Sequence, residues 1–381
     1  MARRVCRTLI AFSPNTTAFL HNTPISNPIS LLFFSSSTPI KSKPSISTLD
    51  YLMNQHKISP QAASKAASSI PYLKNPESSD SILSFLKDNG FSKTHIEEIL
   101  KKAPHVLCSN LDKTIKPKLK IVQDVGFSRT EIADVVATDP WIFSRSLDSR
   151  LAPSISVLKS VLGSSAGVCK AVKASAWFLN VDLEKTMMPN IEFLRSCGVS
   201  SSQIINFVYS FPRFFLIKPE SMRELVKRVD ELGVSRKSRT YIYAVRALSS
   251  MSMETWENKL KLFRSLGLSE DQILSVFRRA PHVFAVSEMK IKEVSEMLLG
   301  RENIDASFIV EHPDLLIHSV KGRLEPRLAV YEILESKNLL RRKPKLTTLF
   351  KISPQKFLAR YVIPYSNELG DVSMVFGTQS R

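Results

Sequence analysis

The sequence predicts an all-α fold, a right- or left-handed α-solenoid whose helical repeats are about 35 residues long. Three markers recur along the 381 residues and keep one register. The first is a glycine, repeated at steps of 33 to 37 residues. A period in this range is typical of solenoids, in which each unit buries its apolar face against the next. The marker glycines are Gly90, Gly126, Gly163, Gly198, Gly233, Gly267 and Gly300.

In five copies the glycine begins the tripeptide Gly–apolar–Ser, which can end one helix and start another. Glycine readily adopts the positive φ that terminates a helix, and an apolar residue after it folds back onto the last turn. Serine is a favoured N-cap for the helix that follows. A complete capping box is predicted for Ser128 with Glu131, Ser200 with Gln203 and Ser269 with Gln272.

Prolines provide the other two markers. One lies 13 or 14 residues after most marker glycines, with apolar residues at its second and third following positions. It should end the first helix, and the apolar pair should form a 3₁₀-like turn beneath the neighbouring unit. Another proline, about 13 residues further, should begin a second helix. The turn prolines are Pro104, Pro140, Pro212, Pro281 and Pro313, with Ala176 in the third copy; the helix prolines are Pro117, Pro153, Pro189 and Pro326.

Each predicted unit has two amphipathic helices. After the serine cap, apolar residues recur at helical spacing, as in Ile96, Ile99 and Leu100, and the second helix has its own stripe, as in Leu119 and Val122. The register weakens over residues 236–258, which contain no proline, so we expect a degenerate unit there.

Four segments are expected from composition. Residues 1–49 contain five Lys or Arg and no Asp or Glu, as in a disordered organelle transit peptide. Residues 50–80 should form an N-terminal helical cap and linker, residues 81–335 the repeat array, and residues 336–381 a basic C-terminal helical segment and tail. No apolar run is long enough to cross a bilayer, so we expect a soluble protein without a membrane partner. The mitochondrial matrix is the favoured location, with the chloroplast as the alternative.

These motifs resemble those of a known family. The Gly–apolar–Ser cap, the Pro-x-apolar-apolar turn and the run IKPKL (115–119) are similar to the motif of the mitochondrial transcription termination factor (mTERF) family. The ending FLARYVIPYSNELG (357–370) resembles its plant organellar members. The resemblance covers about residues 50–370 and implies paired helices with a short 3₁₀ element, stacked into a curved superhelix. It also implies nucleic-acid binding in organelles, with transcription or splicing proteins as further partners.

The charge pattern predicts a polyanionic partner. The formal net charge is +18, and eight Lys or Arg with no acid lie between Glu335 and Glu368. A more diluted basic region spans residues 218–264. Lys118 and Arg327 share one repeat position and should lie along one edge. Arg278, at the end of a first helix, could contact phosphate or complement the negative C-terminal dipole of that helix. The candidate nucleic-acid-binding residues are Lys118, Arg223, Lys227, Arg228, Arg246, Arg264, Arg278, Arg327, Arg341, Arg342, Lys343, Lys345, Lys351, Lys356 and Arg360.

Aromatic residues could also stack on bases. Trp141, Trp177 and Phe214 lie in or beside the apolar turn, so packing between units is the expected role for these three. Tyr241, in the diluted basic region, stays open.

The sequence contains no catalytic motif, no metal-ligand spacing and no cofactor-binding fingerprint, so we expect neither an enzyme nor a cofactor. The favoured hypothesis is binding of double-stranded DNA through its phosphates, to regulate organellar transcription or transcript maturation. An RNA-binding splicing or processing factor is the first alternative. A protein-interaction scaffold is the second.

Overall fold

The computed structural model describes residues 46–301 and 304–370, and most of the predicted transit peptide lies outside them. Residue contacts divide the chain into two compact units. We call residues 46–222 the N-terminal unit and the described residues from 223 onward the C-terminal unit. Both are built almost entirely from helices, which confirms the all-α prediction.

The N-terminal unit opens with a short antiparallel hairpin of β1 (Ile46–Ser47) and β2 (Tyr72–Leu73). Ile46–Ser47 and the following turn of helix therefore carry structure inside the segment expected to be targeting peptide. The helices of this unit are α1 (Thr48–Asp50), α2 (Pro60–Ser69), α3 (Pro76–Asp88), α4 (Lys93–Lys102), α5 (Lys116–Val125), α6 (Arg129–Thr138), α7 (Ala152–Leu162), α8 (Ser165–Ala174), α9 (Met187–Ser196), α10 (Ser201–Ser210) and the start of α11 (Pro219–Glu231).

The C-terminal unit continues the pattern with one interruption. Its further helices are α12 (Tyr241–Ser249), α13 (Met253–Ser265), α14 (Glu270–Arg279), α15 (Glu288–Leu299), α16 (Ala306–Glu311), α17 (Glu325–Ser336), α18 (Leu346–Lys351), α19 (Pro354–Phe357) and α20 (Ser366–Leu369). At the predicted degenerate unit, α12 runs into α13 through Ser250–Ser252 with no 3₁₀ turn between them.

The corners between helices have the predicted chemistry. Gly126 ends α5 with φ 116°, and Ser128 and Glu131 form a reciprocal capping box at the start of α6. The boxes at Ser200 and Ser269 are also present. Gly300 is the exception among the marker glycines, because its φ is −71°. The sequence prediction of where these helices begin and end is therefore confirmed at most corners.

The predicted turns are 3₁₀ helices whose apolar pairs are buried. They span Pro104–Cys108, Pro140–Ser144, Ala176–Leu179, Pro212–Leu216, Pro281–Ala285 and Pro313–Ile317. Val106 and Leu107 are 3% and 1% exposed, and the corresponding pairs of the other turns are equally enclosed. Each turn thus contributes the two residues at the second and third positions after its proline, or after Ala176, to the core between helices.

Three of the second helices begin with a π turn, which the sequence analysis did not predict. A five-residue π turn precedes the proline in Leu111–Ile115, Leu147–Leu151 and Val320–Leu324. Proline lacks an N–H, and its ring would clash with the carbonyl four residues earlier in a regular α-helix. That carbonyl lies inside the wider π turn, where the backbone bonds reach five residues back, as from the Ile115 N–H to the Asn110 carbonyl at 3.2 Å. The π turn therefore allows Pro117, Pro153 and Pro326 to lie within the helix.

No single helix of the described residues is long and apolar enough to cross a bilayer. One bent pair, residues 147–162 with 165–174, passes the length and composition criteria together across a bend of 112°.

Replacing Gly126 with Ala tests the corner chemistry. The backbone at Gly126 has φ 116°, and an added Cβ would meet nothing within 4 Å, so the cost comes from the backbone alone. We expect Gly126→Ala to lower the free energy of unfolding by about 1 kcal/mol in denaturant titrations. The control Gln123→Ala, at an exposed site in the same helix, should lower it by less than half as much; equal losses would contradict the assignment.

Candidate nucleic-acid interface

The basic C-terminal segment, residues 337–360, is an ordered part of the C-terminal unit. Leu349, Phe350 and Phe357 are fully enclosed side chains on α18 and α19. The Arg323 guanidinium donates to the carbonyls of Phe350 at 2.9 Å and Ile352 at 2.9 Å. The segment is therefore held in place by its apolar side chains and its backbone, and its cations are presented from a fixed framework.

Most cations of this segment are exposed. Three of the eight pair with carboxylates of the unit: Lys337 lies 3.3 Å from Glu368, Lys343 lies 2.6 Å from Glu335, and Lys351 lies 2.8 Å from Asp314. The hydrogen bond from Lys343 lowers the pKa of Glu335 below its usual value. The exposed cations that we call the phosphate-binding set are Arg341, Arg342, Lys345, Lys356 and Arg360.

Lys118 and Arg327 are not available to phosphate, which corrects the prediction of an exposed edge. Lys118 is 7% exposed and its ammonium donates to the carbonyl of Phe143. Arg327 is 3% exposed and donates to the carbonyls of Leu349, Phe350 and Ile352. Burial lowers the pKa of Lys118, and burial together with the nearby Arg323 charge lowers the pKa of Arg327 to about 10.

The repeat position of Lys118 and Arg327 has a structural role in five of the units. Polar side chains there, which we call carbonyl clamps, donate to backbone carbonyls in or just after the turn of the following unit, or in α18 for Arg327. The sequence shows this row of cations as broken by Ser154 and Asn190, yet these two side chains donate to carbonyls as well. The other clamps are Ser154 to Val181 at 3.0 Å, Asn190 to Phe215 at 3.0 Å and to Ile217 at 2.8 Å, and Lys259 to Val286. Lys259 is the one that sequence reasoning missed, since no proline precedes it.

Three of the five candidate residues in the diluted basic region are less available to phosphate than the sequence suggests. Lys227 and Arg223 are exposed on α11, whereas Arg228 and Arg246 are half-buried and burial lowers the pKa of both. Arg264 forms an ion pair with Glu270. This region is therefore a weaker candidate than the phosphate-binding set.

Arg278 connects two helices of the C-terminal unit. Its guanidinium Nε donates to the carbonyl of Leu232 at 2.8 Å, just beyond the end of α11. A cation at this place complements the negative end of the helix dipole. The neighbouring Arg279 bonds the Glu311 carbonyl at 3.2 Å in the same manner. These contacts favour the structural role that the sequence left open.

The aromatic residues divide into two groups. Phe214 is 4% exposed and Tyr241 is 1% exposed, and the Tyr241 hydroxyl bonds Asp230 at 2.9 Å. The expected packing is therefore confirmed for Phe214. It is wrong for Trp141 and Trp177, which are 46% and 41% exposed.

The described residues hold no group of three or more His, Cys, Asp or Glu side chains placed to bind a metal ion.

Replacing Arg327 separates its role from that of the exposed arginines. Arg327→Met removes the donor to the enclosed Leu349 carbonyl and one of the two arginine donors to the Phe350 and Ile352 carbonyls, so we expect the free energy of unfolding to fall by about 2 kcal/mol. The matched control Arg341→Met, at an exposed position, should change it by less than about 0.5 kcal/mol. Denaturant titration measures both. A stable Arg327→Met protein would show that the carbonyls find other donors.

The comparisons with known proteins agree with this architecture. The family model described as mTERF matches residues 40–232 and 229–358, most of the chain. A search of the curated proteins found no entry of significant similarity. The mTERF family comprises organellar helical-repeat proteins that bind nucleic acid in roles related to transcription. The match extends across both units, and the chain therefore belongs to the mTERF family.

Proposed function

We propose that this protein binds double-stranded DNA in an organelle through phosphate contacts and so regulates transcription, at termination or initiation, or transcript maturation. The observation that carries the proposal is the phosphate-binding set: five exposed cations on an ordered segment that contains no acid. Counterion release on neutralising phosphates supplies most of the affinity of such a surface.

The framework beneath these cations favours binding. A disordered basic tail would lose conformational entropy when it docks, whereas α18 and α19 are already ordered by Leu349, Phe350 and Phe357. Arginine at positions 341, 342 and 360 can donate two parallel hydrogen bonds to one phosphate.

For the location, we propose the mitochondrial matrix, with the chloroplast as the alternative. The acid-free composition of residues 1–49 supports an organellar address, and it is compatible with either compartment. Proteins of the transcription or splicing machinery are the further partners that this role implies.

The salt dependence of binding tests the proposal. We expect Arg341→Ala, Arg342→Ala and Lys345→Ala together to weaken binding to a DNA duplex. They should also reduce the slope of log affinity against log salt by about 2 to 3. Fluorescence anisotropy over a range of salt concentrations gives both values.

The matched control removes the same charge elsewhere. Lys57, Lys65 and Lys87 are exposed lysines of the N-terminal unit, and their combined replacement with Ala lowers the net charge by the same amount. This control should leave the slope almost unchanged. An equal loss in the two triple variants would mean that net charge, rather than the C-terminal segment, determines binding. A matched RNA duplex run in competition decides between the DNA proposal and an RNA-directed role, because tighter RNA binding would overturn the former.

A further inference from the structure

One exposed side chain projects from each turn of the N-terminal unit at the same repeat position. This position directly follows the turn proline, or Ala176 in the third copy. It holds His105, Trp141, Trp177 and Arg213, at intervals of 36 residues, and all four are exposed. We call these four residues the turn row.

The geometry of the 3₁₀ turn explains why the row faces outward. With three residues per turn, the apolar residues at the second and third positions after the proline enter the core, and the first position is directed away from it. Pro140, Ile142 and Phe143 are buried around the exposed Trp141. The turn geometry requires that this position be exposed, but it does not require any particular side chain there. Packing therefore does not explain why two of the four residues are tryptophan.

The members of the row lie close to cations. His105 and Trp141 line one open cleft of about 260 Å³, together with Lys102. The Arg213 guanidinium lies 5.8 Å from the ring centre of Trp177. Asp139, two residues before Trp141, receives a hydrogen bond from Asn180 at 2.6 Å and lies near the charges of Lys102 and Arg145.

All four side chains have planar π groups. Imidazole, indole and guanidinium planes are the surfaces on which proteins stack unpaired bases. The row continues over four successive units, as expected for a partner that is itself a repeating polymer. A protein partner could bind a single aromatic cluster, but a protein partner would not explain why the exposed planar groups recur every 36 residues.

The spacing selects a single strand. Packed helices lie about 8–10 Å apart, and the Arg213 guanidinium lies 5.8 Å from the Trp177 ring centre; both spacings exceed the roughly 3.4 Å between adjacent bases in a duplex. One base on each unit therefore requires a strand whose bases are unstacked. We propose that the turn row binds single-stranded nucleic acid, with one base stacked on each planar side chain. The proposal goes beyond the duplex contact proposed for the C-terminal segment and shares with it only the class of partner.

Intrinsic tryptophan fluorescence tests the proposal on the full chain. The protein has three tryptophans, and Trp256 is 1% exposed and stacked on Phe284. A change in fluorescence on binding therefore reports Trp141 and Trp177. We expect oligouridine of about 12 nucleotides to quench this fluorescence, because bases stack on the two rings. An absence of quenching by oligouridine and by the matching oligodeoxythymidine would overturn the proposal and leave a protein partner for the row.

Variants at the two rings measure their contribution. Trp141→Ala with Trp177→Ala should weaken oligouridine binding by about 25-fold or more in anisotropy titrations, since stacking is worth about fivefold or more per ring. Replacing both with Phe should retain most of the affinity. The control Tyr243→Ala removes an aromatic side chain that is 42% exposed outside the row and should bind as the unaltered protein does.

The two proposals fail separately. If the double Ala variant binds oligouridine as tightly as the unaltered protein, the turn row is not the site, whatever the duplex affinity. If the C-terminal triple variant loses no duplex affinity while oligouridine still quenches, the phosphate-binding set is misassigned and the turn row stands.

Discussion

The carbonyl clamp is the interaction on which the repeats depend. The backbone carbonyls at a 3₁₀ turn face the second helix of the preceding unit, and an enclosed carbonyl without a donor costs about 1–3 kcal/mol. A polar side chain on each clamped second helix satisfies these carbonyls, as Asn190 does for Phe215 and Ile217. One helical pair thus completes the hydrogen bonding of the next, and the apolar stripes can be buried between them. This requirement explains why enclosed positions contain lysine and arginine.

The sequence predicts the parts of the fold that depend on local chemistry. The capping boxes at Ser128, Ser200 and Ser269 could be found because a cap and its partner are only three residues apart. The proline turns could be found because proline restricts its own backbone and that of the preceding residue. The π turns could not be predicted, because they relieve a clash between the proline ring and a backbone carbonyl that arises only in the folded helix.

The candidate site was less predictable, since burial of a long side chain depends on contacts between units. Lys118 and Arg341 are both cations beside apolar residues, and nothing local separates the ammonium enclosed at 7% exposure from the exposed guanidinium. For Trp141 and Trp177 the error was the reverse, because they were predicted to be buried and are exposed. An aromatic residue in an apolar run suggests packing, whereas the alternation within a 3₁₀ turn directs this position outward. The clamp position and the exposed turn position both recur every 36 residues in the N-terminal unit. Comparing residues by their position in the repeat, instead of by residue type, could therefore have identified both.

Among the described residues, some cations hold repeats together and others are available to a partner. Lysine acetylation of the free protein and of its complex with a DNA duplex, read by mass spectrometry, measures both classes in one experiment. Lys118 and Lys259 should stay unreactive in both samples because their ammonium groups are enclosed and bonded to carbonyls. Lys345 and Lys356 should react in the free protein and become protected by DNA. Protection of a reactive Lys118, with no change at Lys345 and Lys356, would contradict the account.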